Sequence, residues 1–498
     1  MILFKSIFKN IFLLLVVLQL YDFELRAQQM SGLVLGNYAG INSLQVNPSG
    51  LHNSKTYLDI QFLGADVFLQ NNFLYIDKKD YKFSNFFKSG YEFPTHKEDY
   101  GTEVRAFYTY PNKRAKSAFL NVRIDGPGAM LIWGDHAFAI TTAARQVFSM
   151  HHVPYELANF GYLGLNYKPQ QNINYQDNKP FSITEMAWAE VGLSYAYTFY
   201  ERGIDKLSAG ISVRRLFGFA GAYMYSRQLD YIVINDSTMS VKNMDVEMGL
   251  SLPIAYDGNT IQNDKTVKGG GFGFDIGITY QRLKKSHYQD YFPTLCAQRY
   301  EDYLYRIGVA LIDIGGIRFK TNAEKYTIDN RSSYWENLTS FEFRNIAQLL
   351  DTISYKFYGN NEDAFAGNKF TMWLPSALSV QFDYHFRKNW YVNASLIYGF
   401  PLSRTSIARP AELTITPRYE SRWFEASLPV SLYDWNLTRI GLAFRVYGFT
   451  IGTDKLGGFF NLNDFTGMDI YFSVKLFFKK GRCGGVKNSP CGNLEFNP

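Results

Sequence analysis

Few residue types in this chain are spaced for covalent chemistry. His151 and His152 are adjacent, but no H-E-x-x-H helix pattern and no Cys-x-x-Cys pair accompany them. A two-histidine step without further ligands is a polar surface more often than a metal centre. Gly269-Gly270-Gly271-Phe272-Gly273 has the density of a phosphate loop, yet it runs into a strand pattern. Dinucleotide binding needs a strand before the glycines and a helix after them. The run is expected to be a flexible loop entering a strand, with glycine facing a crowded interior. There is no G-x-S-x-G nucleophile elbow. These absences give no catalytic, cofactor or metal residues, and the expectation is a protein that is not an enzyme.

The residues that remain are polar side chains at regular alternate positions: Glu190, Arg214, Asp275, Arg306, Asp383, His385, Arg439 and Arg445. Each sits on the weaker face of a run whose other face is apolar. Ala187, Ala189, Val191, Leu193, Tyr195, Tyr197 and Phe199 oppose Glu190, Gly192, Ser194, Ala196 and Thr198. After a polar turn at 201–205 the alternation resumes from Leu207. It recurs at 272–281, 303–311, 378–386, 390–398, 439–446 and 470–478. Period-two alternation over about ten residues is what a tilted membrane-crossing strand requires.

A secreted β-sandwich also alternates, but its inner face is a packed core of large side chains. Here the weaker face is rich in Gly, Ser, Ala, Asp and Arg, which suits a lumen. Aromatics make up 17% of the 498 residues, with 37 Tyr and 42 Phe, while the mean hydropathy is −0.20. That combination fits lipid-facing and lumen-facing residues in alternation, with aromatic girdles. The expected fold is an all-β transmembrane antiparallel barrel of about 14 (14–16) strands over 56–478. Its charged lumen set is expected chiefly to pair internally and with a plug, since buried polar groups need partners.

Lys5 and Lys9, the apolar run Ile11 to Leu20 and the small Ala27 are ordered as a signal peptide of residues 1–27. The apolar run is too short to span as a helix. Residues 28–55 lack alternation and are read as an N-terminal hatch, and 479–498 as a polar tail. Loops are expected at 78–101, 150–181, 251–268, 321–368 and 453–467. Within the fourth, Thr339 to Glu342 has the form of a capping box before an amphipathic helix carrying Phe343, Ile346, Leu349, Leu350 and Ile353. Cys483 and Cys491 are spaced to pair in an oxidising compartment, which would leave Cys296 single. The net charge of +6, without a long basic block, gives no sign of nucleic acid.

Two stretches resemble known families. Leu35-Gly36-Asn37-Tyr38-Ala39-Gly40, leading to Val46-Asn47-Pro48-Ser49-Gly50-Leu51, resembles the hatch of long-chain fatty-acid-transporter-type barrels, an architecture shared by PorV-type barrels of type IX secretion. Ser49 stands where that motif has Ala. The segment from Val122 to Gly128, then Trp133 to Ala137 and Thr142 to Arg145, resembles a family of Bacteroidota outer-membrane barrels of unknown function. Ile451 to Leu456 fits the same family. The resemblance implies a plugged barrel in the outer membrane, in contact with its lipid, that passes or binds a small hydrophobic molecule. The alternative is a scaffold or docking barrel for a secretion or surface-protein partner. In either case Asn47, Pro48 and Ser49 are the hatch motif.

Overall fold

The computed structural model describes residues 30, 32–88, 91–97, 104–258, 265–285, 295–338 and 343–481. The proposed signal peptide, Cys483, Cys491 and the Thr339–Glu342 box lie outside them.

Strand segments join end to end into a closed antiparallel barrel of 14 staves. The first stave, Thr56–Asn71, pairs with Gly467–Lys479 on one side. On the other it pairs with Lys116–Asp125 and Gly128–Trp133, a single stave interrupted at Gly126-Pro127. The ring has therefore no free edge, which removes the unpaired strand groups that hydrocarbon does not tolerate. Next come His136–Val153, Phe181–Arg202 and the 31-residue Asp205–Asn235. The sixth stave is split: Thr238–Ser251 pairs with the upper half of Asp205–Asn235 and Gly269–Leu283 with its lower half.

One loop expectation is corrected here. The expected loop at 251–268 falls between the two segments of the sixth stave. Residues 321–368 are not one loop: Ala323–Trp335 is a strand that continues Tyr303–Phe319 upward. The strand at 323–335 escaped the alternation test because its partner face is covered by a helix, so both faces carry mixed residues. That helix is Ile346–Tyr358, capped by Asn345, whose side chain accepts from the Gln348 amide at 2.8 Å.

Merging the segments sorts the connections. One end has tight turns at 134–135, 203–204, 388–389, 421–423 and 447–448, together with the longer 284–302. The opposite end has the long loops 72–115, 154–180, 336–364, 400–411 and 454–466, with short turns at 236–237 and 434–436. Trp133, Trp390, Trp423 and Tyr447 are exposed at the tight-turn end, an aromatic girdle beside the turns. Above the other end, Asp205–Asn235 and Thr238–Ser251 extend into an outer hairpin flanked by Asn174–Asp177 and Ala323–Trp335.

The outward face is a continuous apolar belt. Ile140, Leu193, Val213 and Phe274 follow one another across register-paired strands and are all exposed, Leu193 by 64%. A contiguous exposed belt of this size is an interaction surface, and for a closed barrel lipid is the surface that fits. Among the described residues no helix is long and apolar enough to cross a membrane.

Candidate functional site: a plugged and layered lumen

Residues 32–55 lie inside the barrel and enter from the tight-turn end, where Lys480 donates its amide to the Lys55 carbonyl. Two 3-10 helices, Gly40–Gln45 and Pro48–Asn53, form this segment. Proline fixes its own φ and disfavours a helical residue before it. Asn47 is accordingly extended, with φ −163° and ψ 118°, and its side-chain oxygen caps the second helix through the Ser49 amide at 3.0 Å.

The same motif is docked on the wall. Asn47 Nδ2 donates to Gln381 Oε1 at 2.9 Å, and Ser49 Oγ lies 2.6 Å from Thr279 Oγ1. Contact this close needs wall positions without side chains. Gly210, Gly277 and Gly308 on three successive staves supply them. A Cβ at Gly277 would stand 2.2 Å from Asn47 Oδ1, and one at Gly210 would stand 2.5 Å from the Ser49 amide nitrogen. Gly308 is equally confined, by Gln381 Oε1 at 2.2 Å. These three glycines form a landing for Asn47, Pro48 and Ser49.

Next to the landing is an ionic layer. Arg145 holds Asp313 through two nitrogens at 2.8 and 3.1 Å. Arg214 reaches Asp275 at 2.5 Å and Asp313 at 2.9 Å, while Arg123 reaches Asp125 at 2.7 Å. Arg409 lies 3.5 Å from Asp313. Glu190 stands between Arg123, Arg145 and Arg214 at 3.5 to 3.8 Å and accepts from Trp188 Nε1 at 3.0 Å. Fork-shaped guanidinium–carboxylate contacts of this kind are directional as well as strong.

A second ionic layer clamps the plug nearer the tight turns. Glu420 accepts from Lys55 at 2.6 Å and from the Asn37 amide at 3.0 Å. Arg418 grips Asp383 with contacts of 2.9 and 3.1 Å, and Tyr303 donates to the same carboxylate at 2.5 Å. Arg306 donates to Asn37 Oδ1 at 2.7 Å and to the Asn53 carbonyl at 3.2 Å. Arg445 pairs with Glu425 at 2.9 Å while covering the Tyr38 ring. Lys475 pairs with Asp59 and donates to the carbonyls of Tyr38 and Ala39. His385 lies against Asp302, Lys284 and the Lys388 carbonyl and stacks on Tyr391.

On the long-loop side of the ionic layer the lumen turns apolar. Phe68, Trp188, Leu216, Phe319, Met372 and Leu374 form the centre of a fully buried cluster. Arg439 borders it, paired with Glu412 and lying over the Phe68 and Tyr433 rings.

With this geometry in place, residues 48–454 match the family described as a family of unknown function, DUF5723. The chain belongs to that family. No curated protein matches it. Among solved structures it is similar to the TodX deltaS2S3 mutant monoaromatic hydrocarbon channel, at 10% identity over 92% of this chain and 100% of that one, with a TM-score of 0.39. The Ralstonia pickettii toluene transporter TbuX follows at 11% identity, 89% and 94% coverage and a TM-score of 0.37. The P. putida toluene transporter TodX shows 9% identity, 89% and 94% coverage and a TM-score of 0.36. Scores this low place no residue and carry no activity across.

The DUF5723 span takes in the landing glycines, the first ionic layer and the second except for Lys475 and the plug residues Asn37, Tyr38 and Ala39. Arg123, Asp125 and Arg145, which lie in the stretch that resembled the Bacteroidota barrels, are members of the first layer. Sequence reading missed Arg409, Arg418, Glu420 and Asp313. Arg418 was within reach, since it shares a parity with the inward residues Thr414 and Thr416. Asp313 was not: its φ of 58° shifts the phase of its strand, so that Ile312 and Asp313 are both buried. Gly269–Gly273 forms the start of a strand instead of a loop, with Gly271 1.8 Å from the Gly316 carbonyl oxygen at its Cβ position. His151 and His152 stack on each other at a strand end, and no metal cluster of His, Cys, Asp and Glu occurs among the described residues. Cys296, expected to be single, is disulfide-bonded.

Proposed function

We propose that this chain is an outer-membrane barrel that binds or passes a small hydrophobic molecule through a lumen stoppered by residues 28–55. The observation that carries this reading is the apolar cluster inside the lumen, centred on Trp188, Leu216 and Phe319. A barrel that carried hydrated solutes would have no use for an apolar section across its interior. A hydrophobic solute leaving the long-loop side meets that section first and the plug afterwards. Both are packed, so passage requires the docked segment to move.

The test is deletion of residues 29–55, followed by hydrocarbon binding and permeability of reconstituted vesicles. Gain of permeability with retained apolar binding is expected. Unchanged permeability and binding would defeat the reading. The docking-scaffold alternative rests on the long loops and the C-terminal tail, and most of that tail lies outside the described residues.

A further inference from the structure

Between the plug and the first ionic layer is a cavity of about 60 Å³, lined among others by Gln61, Asp66, Arg123, Arg145 and Arg214. By the usual space per buried water it has room for roughly four small polar guests. Its charges are unevenly matched. Arg123, Arg145, Arg214 and Arg409 each have a carboxylate within 4 Å, and Asp125, Glu190, Asp275 and Asp313 supply them. Asp66 lines the same cavity, is 1% exposed and receives no hydrogen bond on either oxygen. Gln61 Oε1, also buried and also in the lining, receives none either.

The surroundings of Asp66 do not repair this. The charged groups that act on it include Asp469, Asp125 and Asp454, against Arg123, already engaged with Asp125 and Glu190, and Arg409, 3.5 Å from Asp313. Asp469 is itself buried, with one oxygen accepting from the Asp454 amide and the other without a donor. A buried charge persists only when paired or ligated. Three unmatched acceptor oxygens, two of them on one carboxylate, facing a small cavity whose arginines are already paired with other carboxylates describe a cation site.

We propose that the central cavity holds a small monovalent cation at the Asp66 carboxylate, with Gln61 Oε1 as a second ligand and Asp469 contributing field. The cation replaces the missing counter-charge of the ionic layer and stabilises the barrel next to its plug. Binding to the folded state alone raises stability with ion concentration.

The experiment uses the full chain in detergent at pH 8. Thermal unfolding is compared in sodium chloride and in N-methyl-D-glucamine chloride at equal ionic strength, with sodium-23 relaxation as a direct binding readout. The expected result is a higher Tm in sodium and a saturable relaxation signal displaced by no amount of N-methyl-D-glucamine. Asp66→Asn should abolish both responses while folding at least as well as the wild type in N-methyl-D-glucamine, since it removes the unmatched charge. Asp469→Asn should shift the sodium response to higher concentration. Absence of any sodium response in the wild type, or its survival in Asp66→Asn, overturns the proposal. The first outcome would mean that Asp66 holds a proton or water. Should Asp66→Asn fail to fold, the wild-type relaxation titration decides alone.

Discussion

Asn47 Nδ2 donates to Gln381 Oε1 at 2.9 Å, joining two residues 334 positions apart. One amide thereby caps a helix in the plug and fastens that helix to the wall. Asn47→Ala removes both contacts and leaves Gln381 Oε1 buried without this donor. A loss of about 1–3 kcal/mol is expected for such a group, read as a lower temperature for conversion of the compact gel band to the unfolded one.

Gly277→Ala tests the landing without touching the plug. The added Cβ would meet Asn47 Oδ1 at 2.2 Å and the Ala310 Cβ at 2.9 Å, so the segment has to lift. Proteolysis within residues 32–55 should accelerate while the barrel keeps its heat-modifiable mobility. Unchanged cleavage would show that the wall moves instead.

The Arg418–Asp383 pair lies fully inside the lumen. Asp383→Asn leaves Glu420, 3.5 Å away, as the remaining carboxylate of the buried Arg418 guanidinium and should destabilise the barrel by about 1–3 kcal/mol. Asp383→Asn combined with Arg418→Gln should recover part of the loss. A double-mutant cycle in denaturant titration measures the coupling.

Cys296 is disulfide-bonded, and the chain has two other cysteines, Cys483 and Cys491. Gly481 donates its amide to the Cys296 carbonyl at 2.8 Å, which brings the chain to within two residues of Cys483. Peptide mapping without reductant should find Cys296 linked to Cys483, with Cys491 alkylated. Recovery of a Cys483–Cys491 peptide would contradict this.

Asp177 belongs to the outer hairpin, beyond the apolar belt. Burial, reinforced by Glu156 and Asp230, pushes its carboxyl up to about 6. A raised carboxyl pKa means the folded state holds the proton more tightly, so the stabilisation is present below the unfolded pKa near 4 and is lost as pH rises through about 6. With half the group solvated, the effect should be discounted to about 1 kcal/mol. Protection factors at Leu229 to Val233, corrected for the intrinsic pH dependence of amide exchange, should be higher at pH 5 than at pH 7.5, and Asp177→Asn should remove the difference.

The barrel was legible because its signal repeats. From Val191 to Phe199 each outward position is apolar and each inward one small or polar, so nine residues declare both structure and solvent. The plug showed itself only by the absence of that pattern, and its docking motif only by resemblance. The landing glycines were visible as small inward residues, but nothing in sequence ties Gly210, Gly277 and Gly308 to Asn47. That relation depends on strand register. Asp313 shows the limit in another way, because one left-handed residue reverses the parity on which inward and outward assignments rest.

The plug also dictates an order of events during biogenesis. Lys475 reaches back to the carbonyls of Tyr38 and Ala39, and Glu420 to Asn37. These anchors come from the final strands to be synthesised, and the last of those strands closes the ring against Thr56–Asn71. Tyr38 and Ala39 thus wait for nearly all of the chain before Lys475 exists. Ring closure and plug seating become one event, a built-in proofreading step in which a truncated chain has neither a sealed wall nor a seated stopper.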